Sequence, residues 1–162
     1  MLILGIDPGT TRAGYGVIQD GAGGPLLVAA GILKVPRAGD GADILEAIRN
    51  GIATLCAEHH PDIVAIEKLF FAKNRKTALA VAEARGVMLM AAREAGVVIR
   101  EYSPNEVKMA VTGYGSADKK AVLKMVRLIL RAPDLKVIDD ASDALAIALT
   151  AGRMHPGSTG AL

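Results

Sequence analysis

Short apolar runs alternate along this chain with longer stretches in which apolar positions recur every three or four residues. Leu2-Ile3-Leu4-Gly5-Ile6 runs straight into Asp7 and the Pro8-Gly9 turn, which predicts a buried strand ending at the acid. Residues 14–19 read as a second strand, 21–25 as a tight connection and 26–35 as a third strand, so the first three strands should form an antiparallel meander. Ile44, Leu45, Ile48, Ile52 and Leu55 then repeat at a helical period across residues 42–60, which Pro61 ends. Ile63-Val64-Ala65-Ile66 is a fourth strand, again closed by an acid, Glu67. A long helix over 77–95, stopped by Gly96, precedes a fifth strand over 97–102. Ser103-Pro104-Asn105-Glu106 has the spacing of a capping box with Pro at the first helical position, opening a short helix that ends at Gly113. Ser116 is the expected cap of a helix over 117–131, and Asp139 of a last helix over 141–154. The order predicts an α/β fold: a five-stranded mixed sheet flanked by helices, in which a β-α-β unit can set the Asp7 and Glu67 strands side by side. Residues 1–154 are expected to form one domain, with 155–162 a frayed tail.

The chain is 162 residues long and 51% hydrophobic, enough for one real core. A net charge of +2 is too mild to mark a nucleic-acid binder by itself, so any basic signal must be local. The single cysteine, Cys56, excludes an intrachain disulfide. There is no charged segment ahead of an apolar stretch to act as a secretory signal, and no apolar run reaches the ~18 residues of a membrane span. A soluble cytoplasmic protein is the expectation.

Asp7 and Glu67 share one feature: each immediately ends an apolar strand. On parallel neighbouring strands both carboxylates would emerge at one sheet edge, where α/β folds place ligands. A plainer use exists for Asp7, as acceptor of backbone N–H groups in the turn that follows. Asp139-Asp140-Ala141-Ser142-Asp143 supplies a third acidic element, and Asp140 and Asp143, three apart, share a helix face. Acids in a first turn also stabilise a helix through its dipole, with no chemistry required. Gathered in a water-poor site, these carboxylates would repel and raise one another's pKa unless a divalent cation held them ionised. Oxygen donors select Mg²⁺ or Mn²⁺, and two such ions about 3.5 to 4 Å apart suit an in-line phosphodiester displacement. Neither a Ser-His-Asp or Cys-His arrangement nor a Walker loop competes with that reading. Cys56, His59 and His60 have metal-like spacing but no second ligand pair, and are read as structural.

Basic character is local. Residues 68–76 carry Lys68, Lys73, Arg75 and Lys76, no acid, and the chain's only two Phe, Phe70 and Phe71. One ring can anchor the loop to the core; the other, assigned to Phe70, can stack on or wedge between bases. Lys120, Lys124, Arg127 and Arg131 form a stripe at helical spacing, which most simply is a solvated face. Lys119 differs, because a cation in a first turn opposes the dipole and an anionic ligand would offset that cost; with Lys108 it can contact phosphate. Met88, Met90, Met109 and Met125 are read as core filler.

Leu4-Gly5-Ile6-Asp7-Pro8-Gly9-Thr10, the run 65–74, Ala84-Arg85-Gly86-Val87, Gly115-Ser116-Ala117-Asp118-Lys119 and the run 140–148 resemble, in order and over nearly the whole chain, the RuvC family of Holliday-junction resolvases. The resemblance implies a ribonuclease H-like fold and a homodimer packed largely through the 77–95 helix. It further implies paired Mg²⁺-dependent nicks in opposed strands of a four-way DNA junction, and a branch-migration helicase complex as partner. It carries the acidic metal site to Asp7, Glu67, Asp140 and Asp143, the junction aromatic to Phe70, and phosphate contacts to Lys108 and Lys119. Asp139 is an additional acid beside Asp140; the Asp-x-x-Asp spacing favours Asp140. The turn after Asp7 also resembles the phosphate loop of sugar-kinase and chaperone-type ATPases, which need two such domains. The same residues could also serve a junction-binding protein without catalysis, or an RNA-processing nuclease of the same fold.

Overall fold

Side-chain alternation along the central strand decides which acids can meet. The computed structural model describes residues 1–10, 12–36, 39–69 and 75–154, the side chains of 75–77 excepted. Its strands are β1 (Leu2–Asp7), β2 (Arg12–Gln19), β3 (Leu26–Lys34), β4 (Ile63–Glu67) and β5 (Val98–Tyr102), in the sheet order β3-β2-β1-β4-β5. β1, β2 and β3 form the expected antiparallel meander, while β4 and β5 run parallel to β1. The helices are α1 (Gly41–His59), α2 (Arg75–Glu94), α3 (Pro104–Thr112), α4 (Lys119–Ile129) and α5 (Asp139–Arg153).

Two apolar cores lie on opposite faces of the sheet. Leu4, Ile6, Val64 and Ile66 pack with Ile48 and Ile52 of α1 and Ala84 and Met88 of α2. Ile3, Ile63 and Ala65 pack on the other face with Val107 of α3, Val122 of α4 and Leu145 and Ile147 of α5. Successive strand residues alternate faces, so Asp7 after Ile6 and Glu67 after Ile66 both fall on the α5 side. The β1 and β4 ladder pairs Ile6 with Ile66, and the two acids are the next residues of their strands.

α5 is buried along nearly its whole length, which explains its Ala-rich sequence, and each fully covered Leu or Ile on it contributes roughly 1.5–3 kcal/mol. It lies almost in backbone contact with the sheet because the strands offer glycine beneath it. A Cβ at Gly5 would stand 2.1 Å from the Ala144 carbonyl oxygen, and one at Gly14 would stand 1.9 Å from that of Asp140. Gly14 is the β2 partner of Asp7, so the start of α5 is seated directly beside the acid of β1.

Several termini differ from expectation for identifiable reasons. α1 starts at Gly41, because Asp40 and Asp43 form a reciprocal capping box: the Asp40 carboxylate accepts from Asp43 N at 2.9 Å. The Ser103/Glu106 box forms as expected. Ser116 does not cap α4; the Asp118 carboxylate accepts from Ala121 N at 2.8 Å, which puts Lys119 at the first helical position. Asp139 does not cap α5 either. The helix begins directly after Ile138, leaving Asp139 and Asp140 in the first turn, where the dipole favours them without a capping bond. α2 begins at Arg75, two residues earlier than expected, so Arg75 and Lys76 belong to the helix and not to the preceding loop. Met88 is fully buried, whereas Met90 and Met109 are exposed and fill no core.

Candidate active site

Four carboxylates converge at the end of the sheet. Asp7 comes from β1, Glu67 from β4, and Asp140 and Asp143 from the first turns of α5. Asp7 is pushed up to about 8, first by burial and then by the charges of Asp143, Glu67 and Asp140. Glu67 is raised as well, by burial and then by Asp143. A carboxyl that resists ionisation because it is buried among other acids marks a place deficient in positive charge.

Among the described residues, three cations partly fill that deficit. Lys119 Nζ donates to Asp143 Oδ2 at 2.9 Å, and this bond holds the ammonium above its ordinary pKa. Arg12 Nε lies 3.4 Å from Asp140 Oδ2. Lys108, on α3, is near enough to Glu67 to lower its pKa. With Asp140 and Asp143 each facing a basic side chain, the acids do not stand as a closed cage. Among the described residues, no three His, Cys, Asp or Glu side chains are gathered tightly enough to hold an ion as they stand. The donor chemistry nevertheless fits a hard divalent cation: every donor is a carboxylate oxygen, and the most buried one is unfavourable as an anion without added positive charge. The charge of Asp140 helps raise the Asp7 pKa, while that of exposed Asp139 helps raise the Lys119 pKa.

The family model for crossover junction endodeoxyribonuclease RuvC matches residues 3–151. The chain belongs to the RuvC family. A Roseiflexus crossover junction endodeoxyribonuclease RuvC is 45% identical over 146 residues, covering 90% of this chain and 87% of that protein. The Chloroflexus aggregans protein of the same name is 46% identical over 149 residues, covering 92% of this chain and 91% of its own. Among solved structures, Thermus thermophilus RuvC in complex with a Holliday junction substrate superimposes with a TM-score of 0.87 at 36% identity, covering 94% of this chain and 93% of that one. The fold is therefore ribonuclease H-like, and the chain is an endodeoxyribonuclease of crossover junctions.

In this RuvC-family chain, the structure places some of the residues singled out from the sequence beside the acids. Phe70, Phe71 and Lys73 lie outside the described residues, as do the side chains of Arg75 and Lys76. Lys119 and Lys108 stand beside the acids, and Lys120 is exposed next to Lys119. The α4 stripe is not simply a solvated face: Arg127 donates through Nε and Nη2 to the Leu135 carbonyl at 3.2 and 2.9 Å, fastening the loop that leads into α5. Cys56 is buried and free, as a structural thiol would be. Sequence reasoning missed Arg12 and the glycine seat under α5. The glycine seat had a signal, since Gly5, Gly14 and Gly16 interrupt otherwise apolar strands; Arg12 had none beyond its nearness to the Asp7 turn.

Proposed function

We propose that this chain acts as a homodimer that resolves Holliday junctions by paired, symmetric nicks in opposed strands, leaving 5′-phosphate and 3′-hydroxyl ends. The observation that carries this reading is the convergence of Asp7, Glu67, Asp140 and Asp143 in one site short of positive charge and flanked by Lys108 and Lys119. Mg²⁺ is the proposed cofactor, up to two ions per subunit with Mn²⁺ as a substitute, held by these four carboxylates. When bound, it supplies Lewis-acid stabilisation of the phosphate and a water nucleophile usable near neutral pH.

The chain's own residues do the rest. Asp7 and Glu67, fixed on strand ends, supply rigid oxygens on one side, and α5 brings Asp140 and Asp143 from above. Lys119 can exchange its bond to Asp143 for a phosphate oxygen of the scissile strand, offsetting negative charge that grows in the transition state. Lys108 and Lys120 extend the basic rim along the backbone, and Phe70, Lys73, Arg75 and Lys76 engage the junction arms. Leu79 and Met90 on the outer side of α2 are exposed and supply apolar area for the second subunit. A branch-migration helicase complex is the proposed partner assembly and the cytoplasm the proposed location. Among the described residues, no helix is long and apolar enough to cross a membrane. The test is Asp7→Asn on a synthetic four-way junction. The variant should bind the junction and fail to nick it in Mg²⁺; nicking at the wild-type rate would remove Asp7 from the site.

A further inference from the structure

Arg85 lies midway along α2, in the Ala84-Arg85-Gly86-Val87 segment, on the face of the sheet opposite the acids. Its side chain is only 14% exposed. Nε donates to the backbone carbonyl of Glu67 at 2.8 Å, and Nη2 donates to the carboxylate of Glu101 on β5. The next peptide is fastened too, because Lys68 N donates to the Tyr102 carbonyl at 2.8 Å. Glu67 lies one residue past the last β1–β4 ladder pair, Ile6 with Ile66. Glu67 pairs with Tyr102 on β5, and its carbonyl is held by the guanidinium of α2.

A guanidinium presents several donors in a rigid plane, so one side chain can hold a carbonyl and a carboxylate at a set angle. A lysine ammonium is a compact charge on a flexible stem and does not hold two acceptors at that fixed angle. Turning the Glu67 peptide would re-aim the side chain on its other side, because carbonyl and Cα–Cβ directions are tied through ψ. We propose that Arg85 is the positioning residue for Glu67, reaching around the strand end from α2 to lock the peptide that aims this acid at the site. The proposal rests on the reading of Glu67 as a metal ligand. It also makes α2, whose outer side exposes Leu79 and Met90, the element against which Glu67 is set.

The experiment compares wild type, Arg85→Lys, Glu101→Gln and Glu67→Gln as full-length chains. Mn²⁺ affinity without DNA is read by electron paramagnetic resonance, junction affinity in EDTA by gel shift, single-turnover cleavage in Mg²⁺, and unfolding by heat. Partners that orient a ligating carboxylate typically affect metal affinity or activity by about 10- to 100-fold. Arg85→Lys should lose that much Mn²⁺ affinity and single-turnover rate while junction affinity in EDTA stays within about twofold. Glu101→Gln, which keeps the bond to Glu67 but loosens the guanidinium, should fall between, and it serves as the test should Arg85→Lys fold poorly. Loss of thermal stability in Arg85→Lys and Glu101→Gln with wild-type Mn²⁺ affinity and rate would overturn the proposal and leave Arg85 a structural staple. Glu67→Gln separates the two readings: normal Mn²⁺ affinity and cleavage in that variant would overturn the metal-ligand assignment itself, and Arg85's role with it.

Discussion

Asp7→Asn should make the metal-free protein more stable while abolishing its chemistry. The Asp7 carboxyl titrates near 3.8 in an unfolded chain and is pushed to about 8 in the fold. Between those values the folded chain keeps a proton that the unfolded chain has released, so unfolding is favoured increasingly as pH rises from about 4 to about 8. At pH 7 that difference amounts to about 4 kcal/mol, taken as a ceiling because water entry and side-chain movement relieve part of it. The total stability of a domain this size is commonly about 5–15 kcal/mol, so the burden is large. Asparagine keeps the shape of the protonated acid and cannot ionise. Urea unfolding in EDTA should therefore show the variant more stable than wild type at pH 7–8, the gap closing toward pH 4. Mg²⁺ should stabilise wild type at pH 8 and do so much less in the variant, since an ion that binds only the folded state shifts unfolding by mass action. A variant no more stable than wild type at pH 7, or a gap that does not change with pH, would refute the claim that Asp7 is buried among acids only partly compensated by nearby cations.

Gly14→Ala should lower cleavage by about 100-fold or more, because its Cβ would stand 1.9 Å from the Asp140 carbonyl oxygen and α5 must move; unfolding should show a smaller loss of about 1–3 kcal/mol, and full activity would deny the seat any role. Lys119→Met should reduce single-turnover cleavage by about 100- to 1,000-fold with a modest loss of junction affinity, and an unchanged rate would exclude its contact with the scissile phosphate. Phe70→Ala should weaken cleavage with the fold intact; unchanged junction distortion and rate would exclude the wedge.

The acids on the strands were legible in the sequence because period-two alternation and the β-α-β order constrain them together: once Ile6 and Ile66 face one core, Asp7 and Glu67 must face the other. The meander and the Ser103 cap were legible for the same local reasons. Cap assignments failed where two candidate residues stood close together, as Ser116 and Asp118 do, since only backbone geometry shows which oxygen reaches the N3 amide. Contacts that cross the chain left no local trace. The bond from Lys119 to Asp143 spans 24 positions, and Arg85 meets Glu67 through a backbone carbonyl, which no residue pattern announces. The approach of α5 to the sheet depends on glycines whose importance lies in what sits above them, so Gly14 becomes meaningful only beside Asp140.

Diffraction from crystals soaked in Mn²⁺, recorded at the manganese absorption edge, tests most directly whether the four acids share a metal. Anomalous density should fall between Asp7 and Glu67 on the strands and Asp140 and Asp143 on α5, and should vanish in Asp7→Asn. Density confined to other parts of the surface, with the four carboxylates bare, would contradict a common metal site.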